Sequence, residues 1–571
     1  MLQIRVGPLV RATSANSVTL WAELTQPYTV IFNALPYNTP ASREANTVSV
    51  RVHTITIGGR YFAVAQLEGL QPATWYTYWL ERINHTDSGD ITERVNESLL
   101  CCFRTMNNED VHETIGQTSS TSTAEPLRLV YGSCRKFVAP QADAFSAFGR
   151  WLRNHVEQRE TMWPHLLLLI GDQIYADQPS AALIQQYPQL SNGATTFEDF
   201  AQLYEYAWTQ DSDARQVLAC LPTYMMFDDH EITNDWNNTP QWCANTLAQG
   251  REQILVDGMV AYWVYQGWGN LLQSEDDSHP LLCIMCKAEK NGEDILELLR
   301  TQIRSEVHGE SAGHWHYDIP TVPPIFVVNT RSERTTVFTN KEEAIYGPTR
   351  ILSKAQMQEL ASWMHDHDTR ISLLVSSVPV LLPPLIGLAE YIMGVRLWWR
   401  GLRWLGLRIG RIQQQIAIRT SFDHWPLFSE TWHELIHILT KRKHDILVLS
   451  GDVHFSYAME ARRVFSKTEH ARLIQLVSTP LHNELGRQSE QMVTGQARIT
   501  RTTYGGVQTR MLQLRTPDNT KRTQYDMLFR NVLAYVTLTS DATKTYTVQQ
   551  EYLVVEDEQI QTIGHTAMNK H

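Results

Sequence analysis

The stretch MMFDDHEITNDW, residues 225 to 236, crowds metal-type ligands onto the end of an apolar run. Met225, Met226 and Phe227 read as the close of a buried strand. Asp228, Asp229, His230 and Glu231 follow at once, with Asn234 and Asp235 one turn later. Other apolar runs end the same way. In GDQIYAD, after HLLLLI, Gly171 permits a sharp turn beside Asp172, and Tyr175 can swing back to the same point over one helical turn. GSCRKF places Cys134 after LRLVY, and GDVH places Asp452 and His454 after DILVLS. A carboxylate shared by two cations, with different donors on each side, is how two-metal hydrolases are assembled. Each residue alone has a structural explanation: a strand-end Asp caps a helix, a lone Cys fills a core, a Tyr packs. Their recurrence at successive strand ends points to a common site.

Such a site needs a sheet whose strands all end on one edge. PIFVV before NTRSER, ISLLV before SSVP and ARLIQLV before STP repeat the pattern, and FEDFAQLYEYAWTQ and AQMQELASWMHDHD read as helices between strands. This predicts an α/β domain over residues 127–571, with insertions near 270–315 and 380–420. Residues 1–105 alternate with a period near two and predict an all-β module. Within it, the spacing from Leu67 to Tyr76, L-x-x-L-x-P-x-T-x-Y, resembles the tyrosine corner of fibronectin type III-like sandwiches. The polar, Ser/Thr-rich residues 106–126 read as a linker.

The chain has 571 residues, a net charge of −12 and 19% charged residues, which describes a foldable, acidic protein and argues against a nucleic-acid-binding module. Seven scattered cysteines make no disulfide framework, and Cys283 and Cys286 form a lone CxxC that is at most half a zinc site. MLQIRVGPLVRATS has no export signal, so a cytoplasmic location is expected.

GSC, GDQIYAD, FDDHEITND and GDVH, in this order, resemble the alkaline phosphatase D (PhoD-like) metallophosphoesterases over about residues 127–485. The N-terminal module resembles that family's accessory domain. The resemblance implies a metallophosphatase-type α/β/β/α sandwich preceded by an all-β sandwich. It implies hydrolysis of phosphate esters, monoesters or diesters, by a metal-bound hydroxide at a multinuclear centre. Fe3+ with Ca2+ is the expected cation pair, and Mn2+, Mg2+ or Zn2+ are the alternatives. By position, Asp172 bridges the cations, Cys134 and Tyr175 bind iron, and Asp229, Asp452 and His454 complete the ligand set. His230 protonates the leaving alkoxide, Asn234 and Arg331 hold phosphate oxygens, and Asp228 and Glu231 orient these groups. Asp235 is expected to be merely solvated. Asn329 stands where the family usually has Asp, which would weaken a cation site or an orienting pair. It is also the feature that favours a degenerate phosphate-binding module.

A rival lies in HELIH, His433 to His437, which fits the H-E-x-x-H of zinc metalloproteases. It lacks the glycine-containing extension of one major class, and an amphipathic helix feeding the GDVH strand is the alternative. The insertion ISLLVSSVPVLLPPLIGLAEYIMGVRLWWRGLRWLGLRIGRI approaches spanning length in its first part, but its double proline and Glu390 argue against a span. A span would also put GDVH and GDQIYAD on opposite sides of a membrane. The Trp/Leu/Arg pattern over residues 395–412 suits either a packing lid or a helix lying on anionic lipid, which would bring a phospholipid substrate within reach.

Overall fold

The computed structural model describes residues 3–37, 46–86, 89–94, 99–107, 125–138, 143–236, 240–272, 279–311, 313–334, 350–368, 370–395, 403–439, 441–464, 471–496, 498–518, 524–540, 546–556 and 559–569. Most of the expected linker and residues 396–402 of the insertion lie outside this set.

The N-terminal run makes β1 (Ile4–Thr13), β2 (Ser17–Leu24), β3 (Thr29–Pro36), β4 (Val48–His53), β5 (Ile55–Ile57), β6 (Arg60–Glu68), β7 (Trp75–Thr86), β8 (Gly89–Arg94) and β9 (Cys102–Arg104). They form two sheets, β1-β2-β6-β5 and β4-β3-β7-β8 with β9 on β7. Val18, Leu20, Phe32, Leu67 and Phe103 fill the space between them. The backbone N–H of Gln71 donates to the Tyr76 hydroxyl at 2.8 Å, the corner that the Leu67–Tyr76 spacing predicts.

The following strands are β10 (Leu127–Gly132), β11 (Leu166–Ile170), β12 (Thr223–Met226), β13 (Tyr317–Ile319), β14 (Ile325–Val327), β15 (Ser372–Ser376), β16 (Ile446–Ser450) and β17 (Ser456–Arg463). Then come β18 (Leu473–Val477), β19 (Arg501–Tyr504), β20 (Val507–Met511), β21 (Met527–Leu528), β22 (Leu533–Ser540), β23 (Tyr546–Glu556) and β24 (Gln559–Asn569). One sheet runs β12-β11-β10-β22-β23-β24 and the other β13-β14-β15-β16-β18-β17-β20-β19, with β21 on β17. β10, β11 and β12 are mutually parallel, as are β14, β15, β16 and β18, so their C-terminal ends share an edge.

The two sheets pack face to face. Alternate residues of β11 show how: Leu166, Leu168 and Ile170 enter the core between the sheets, while Leu167 and Leu169 face the helices outside. β16 does the same, with Leu447 and Leu449 inside and Ile446 and Val448 outside. Burial on both faces explains why HLLLLI and DILVLS are apolar throughout. The outer layer of the first sheet contains α1 (Ala144–Asn154), α2 (Phe197–Thr209), α3 (Ser212–Cys220) and α4 (Glu252–Tyr262). That of the second contains α5 (Lys354–Asp366) and, further along the chain, α8 (Ser429–Leu439). Between these two lie α6 (Pro384–Gly394) and α7 (Arg403–Arg419), both in the apolar insertion. The architecture is helix, sheet, sheet, helix.

The N-terminal sandwich joins the first helical layer. Trp21, Phe62 and Trp75 belong to the same apolar cluster as Phe200 and Val260. Buried Arg11 donates to the Tyr265 carbonyl at 3.0 Å and to Asn270 Oδ1 at 2.9 Å. No helix of the described residues is long and apolar enough to cross a membrane.

Candidate metal centre

Two glycines let the strand ends converge. A Cβ on Gly171 would lie 2.7 Å from the Asp228 Cβ, and one on Gly451 would lie 2.2 Å from Ser133 Oγ. Glycine before Asp172 and before Asp452 therefore allows β11 to meet β12 and β16 to meet β10. The next residues leave the strands in a conformation that side chains disfavour. Cys134, Asp172, Asp452 and His454 have φ of +58°, +55°, +68° and +59°. Strained non-glycine backbone of this kind concentrates at functional sites. Backbone bonds hold it: Cys134 N–H donates to the Gly171 carbonyl at 3.2 Å, and Asp452 N–H to Ser133 Oγ at 3.1 Å.

The loops bring together three overlapping triads. Ligand atoms of Cys134, Asp172 and His454 lie within 4.8 Å of one another, as do those of Asp172, Asp229 and His230 and those of Asp228, Asp229 and Asp452. Asp172 and Asp229 each belong to two triads. The Tyr175 hydroxyl lies 3.4 Å from Asp172 Oδ2 and accepts a 2.9 Å bond from Asn483 Nδ2.

Glu231 acts on the loops themselves. Its carboxylate accepts the backbone N–H of Asp172 at 3.0 Å, Gln173 at 2.7 Å and Asp228 at 2.8 Å, and Gln266 Nε2 at 3.1 Å. One buried side chain thus clamps the ends of β11 and β12. Asp177 acts on His230: its Oδ1 lies 2.7 Å from Nδ1, and its Oδ2 accepts the Asn234 N–H at 3.0 Å. The ring of His230 also stacks on Tyr175, with centroids 4.3 Å apart.

The electrostatics call for cations. Burial pushes the Asp172 carboxyl well up; His230 opposes this, while Asp229, Asp228 and Glu231 push further. Asp228 is raised by burial and by Asp452 and Asp229 against the pull of Arg331, and its Oδ2 accepts no hydrogen bond. Burial, Asp172 and Asp452 raise the Cys134 thiol, and burial, Cys134 and Asp172 raise the Tyr175 phenol. Burial depresses His454, which favours the neutral imidazole that a metal requires. Thiol, phenol, carboxylates and imidazole so placed fit a multinuclear centre.

Several residues have surroundings that the sequence does not show. Arg331 is 1% exposed, and its guanidinium pairs with Asp228 and Asp423. Engaged on two sides, it stabilises the acidic cluster instead of presenting an open fork for phosphate. Asn329 Nδ2 donates to Ser332 Oγ at 2.6 Å. Its Oδ1 accepts the N–H groups of Arg331 and Ser332 at 3.1 Å each, a turn that either Asn or Asp makes. Asn234 has an exposed side chain. Asp235 is half-buried, not simply solvated: burial, Asp423 and Asp229 raise its carboxyl to about 6.

HELIH lies on α8 with both histidines exposed, and Glu434 is taken by Arg350 at 2.8 and 2.6 Å. Neither this trio nor the exposed Cys283 and Cys286 forms a metal-ligating group among the described residues. The zinc-protease alternative has no assembled site there.

Four residues around the cluster escaped the sequence analysis. Asp177 closes the quoted motif GDQIYAD, yet only its contact with His230 marks it. Asp423 joins Arg331 to Arg334. His424 lies 3.0 Å from Asp452 Oδ2 through Nε2, and Asn483 holds Tyr175. SFDHWP and HNEL carry no local signal for either role.

Comparison with known proteins follows the same lines. No curated protein matches the chain. A solved structure titled "Structure of PhoD" matches 99% of this chain and 92% of its own, at 12% identity and a TM-score of 0.60, and so shares the fold. The family model of PhoD-like phosphatases matches residues 129–532, a span that runs from β10 past the last strand-end loop and includes every triad residue. The chain belongs to the PhoD-like phosphatase family.

Proposed function

We propose that this protein hydrolyses phosphate esters, monoesters or diesters, at a multinuclear centre of iron(III) and calcium. The observation that carries the reading is the convergence of Cys134, Asp172, Asp229, Asp452 and His454 in an over-acidic cluster where strand ends of the two packed sheets meet. Thiolate and phenolate suit iron(III), and carboxylates suit calcium. When bound, the cations activate water and neutralise charge on the phosphoryl group.

The chain's own residues do the rest. Asp172, shared between two triads, would hold cations together with the ligands of both. Cys134, Tyr175 and His454 would supply ligands for iron, and Asp229 and Asp452 ligands for calcium. Asp177 holds Nδ1 of His230, which leaves Nε2 to protonate the departing alkoxide. Glu231 keeps the two loops in register, and Arg331 offsets the charge of Asp228.

The test is hydrolysis of para-nitrophenyl phosphate and its bis-ester with iron plus calcium, with manganese, or with chelator. Activity that both chelator and Asp172→Asn abolish supports the reading, and the ratio of the two esters assigns the subclass. Hydrolysis indifferent to both treatments overturns it.

A surface feature favours membrane-borne substrates, and this second reading is also ours. On α7, Ile412, Ile416 and Ile418 are 56%, 40% and 50% exposed, beside exposed Arg411 and Arg419. Exposed apolar and basic side chains on one helix suit peripheral contact with anionic lipid. Flotation with anionic but not zwitterionic liposomes is expected; no flotation with either overturns it.

A further inference from the structure

The insertion helix α6 is apolar except for Glu390, and Glu390 is 0% exposed. Burying a lone carboxylate costs several kcal/mol unless it is paired. Its partner is His424: Glu390 Oε1 lies 2.6 Å from Nδ1, and the opposite nitrogen, Nε2, lies 3.0 Å from Asp452 Oδ2. A three-residue chain thus runs from the insertion to the strand-end cluster. The helix is also locked in place. A Cβ on Gly387 would lie 2.5 Å from the Tyr504 hydroxyl oxygen, and one on Gly394 would lie 2.1 Å from the Leu427 carbonyl. Leu427 follows His424 in the same short turn, so helix and imidazole share one support.

We propose that Glu390 is a positioning residue for cation binding: it fixes His424, which holds one oxygen of Asp452 and leaves the other for the cation. Metal-ligating groups are commonly oriented by such outer partners, and losing one costs about 10–100-fold in metal affinity. Here the outer partner comes from an insertion whose composition suggests packing or membrane contact. The insertion would then complete the metal centre, and the protein without it would bind cations poorly. The proposal rests on the reading of Asp452 as a cation ligand.

Direct binding tests it. Mn2+ is titrated into the chelator-stripped full chain, with free ion read by electron paramagnetic resonance and folding checked by circular dichroism and thermal melting. Glu390→Ala and His424→Ala should each weaken Mn2+ binding by about 10–100-fold. The double variant should be no weaker than the worse single, because Glu390 acts through His424. Should Glu390→Ala fail to fold, His424→Gln and Glu390→Gln, which keep more of the volume, are read in the same way. Folded variants that bind Mn2+ like the wild type, or losses that simply add in the double variant, overturn the proposal. A wild-type chain that binds no Mn2+ overturns the metal reading together with it.

Discussion

The strand-end loops and helix α8 offer the same kinds of residue. α8 carries two histidines one turn apart with a glutamate between them, and the loops carry cysteine, aspartates and histidines. By residue type and spacing, either could hold a metal. Their environments separate them. On α8 the histidines face water, and Arg350 grips Glu434 through both carboxylate oxygens, so no charge is left wanting. At the strand ends, Asp172 and Asp228 are buried close to one another and to Asp229, and Asp172 has a backbone conformation that side chains avoid. Charge that the protein buries and does not satisfy marks a cation site better than the ligands' names do.

Substitutions should separate the two regions by orders of magnitude. Asp172→Asn removes the carboxylate common to two triads; we expect loss of bound metal and a fall in phosphoesterase kcat of about 10³-fold or more, read by metal analysis and steady-state kinetics. Retained metal with unchanged kcat would erase the distinction. Asp177→Asn frees the ring of His230 without replacing a triad residue, and should lower kcat by about 10–100-fold while metal content stays near that of the wild type.

A pH prediction sharpens the contrast. Burial acts against charge on His230, yet Asp172, Asp177 and Asp229 hold its imidazole up at about 10. In an unfolded chain it titrates near 6.5. The folded pKa is the higher one, so in the chelator-stripped protein this contribution is complete below pH ~6.5 and is lost as pH rises through ~10. Urea midpoints should fall across that window in the wild type and fall less in His230→Asn. An equal fall in both would deny the coupling. The smallest effect belongs to α8: His433→Ala with His437→Ala should leave activity and metal content unchanged and shift stability by no more than about 0.5 kcal/mol per site. Loss of zinc or of activity there would revive the helix as a site.

Much of the scaffold was legible because its strands are buried on both faces and so read as unbroken apolar runs. LRLVY, HLLLLI, PTYMMF and DILVLS all became strands. The polar residues closing them came together because parallel neighbours end on one edge of each sheet and the two sheets pack with those edges side by side. Arg331 shows what the strand pattern leaves out. A lone arginine after a strand looks open until Asp228, 103 residues away, and Asp423, 92 residues away, close on it. Asp235 looked solvated because its neighbours Asp423 and Asp229 belong to other turns of the chain. Glu390 counted only as an obstacle to a membrane span until His424 appeared beside it.

The amino-acid sequence alone determined the α/β plan, the order of strands that end in polar clusters, and the choice of Asp172, Asp229, Asp452 and His454 as candidate ligands. Local properties suffice for that, since apolar runs, glycines and strand-end polar residues express themselves within a few positions. The tertiary structure alone decided which charges are answered and which are left over. Asp177 on His230, Asp423 on Arg331 and Glu390 on His424 are pairings across 53, 92 and 34 residues. Whether a buried carboxylate finds a guanidinium, an imidazole or a cation depends on where the fold brings the other chain segments, which no single segment encodes.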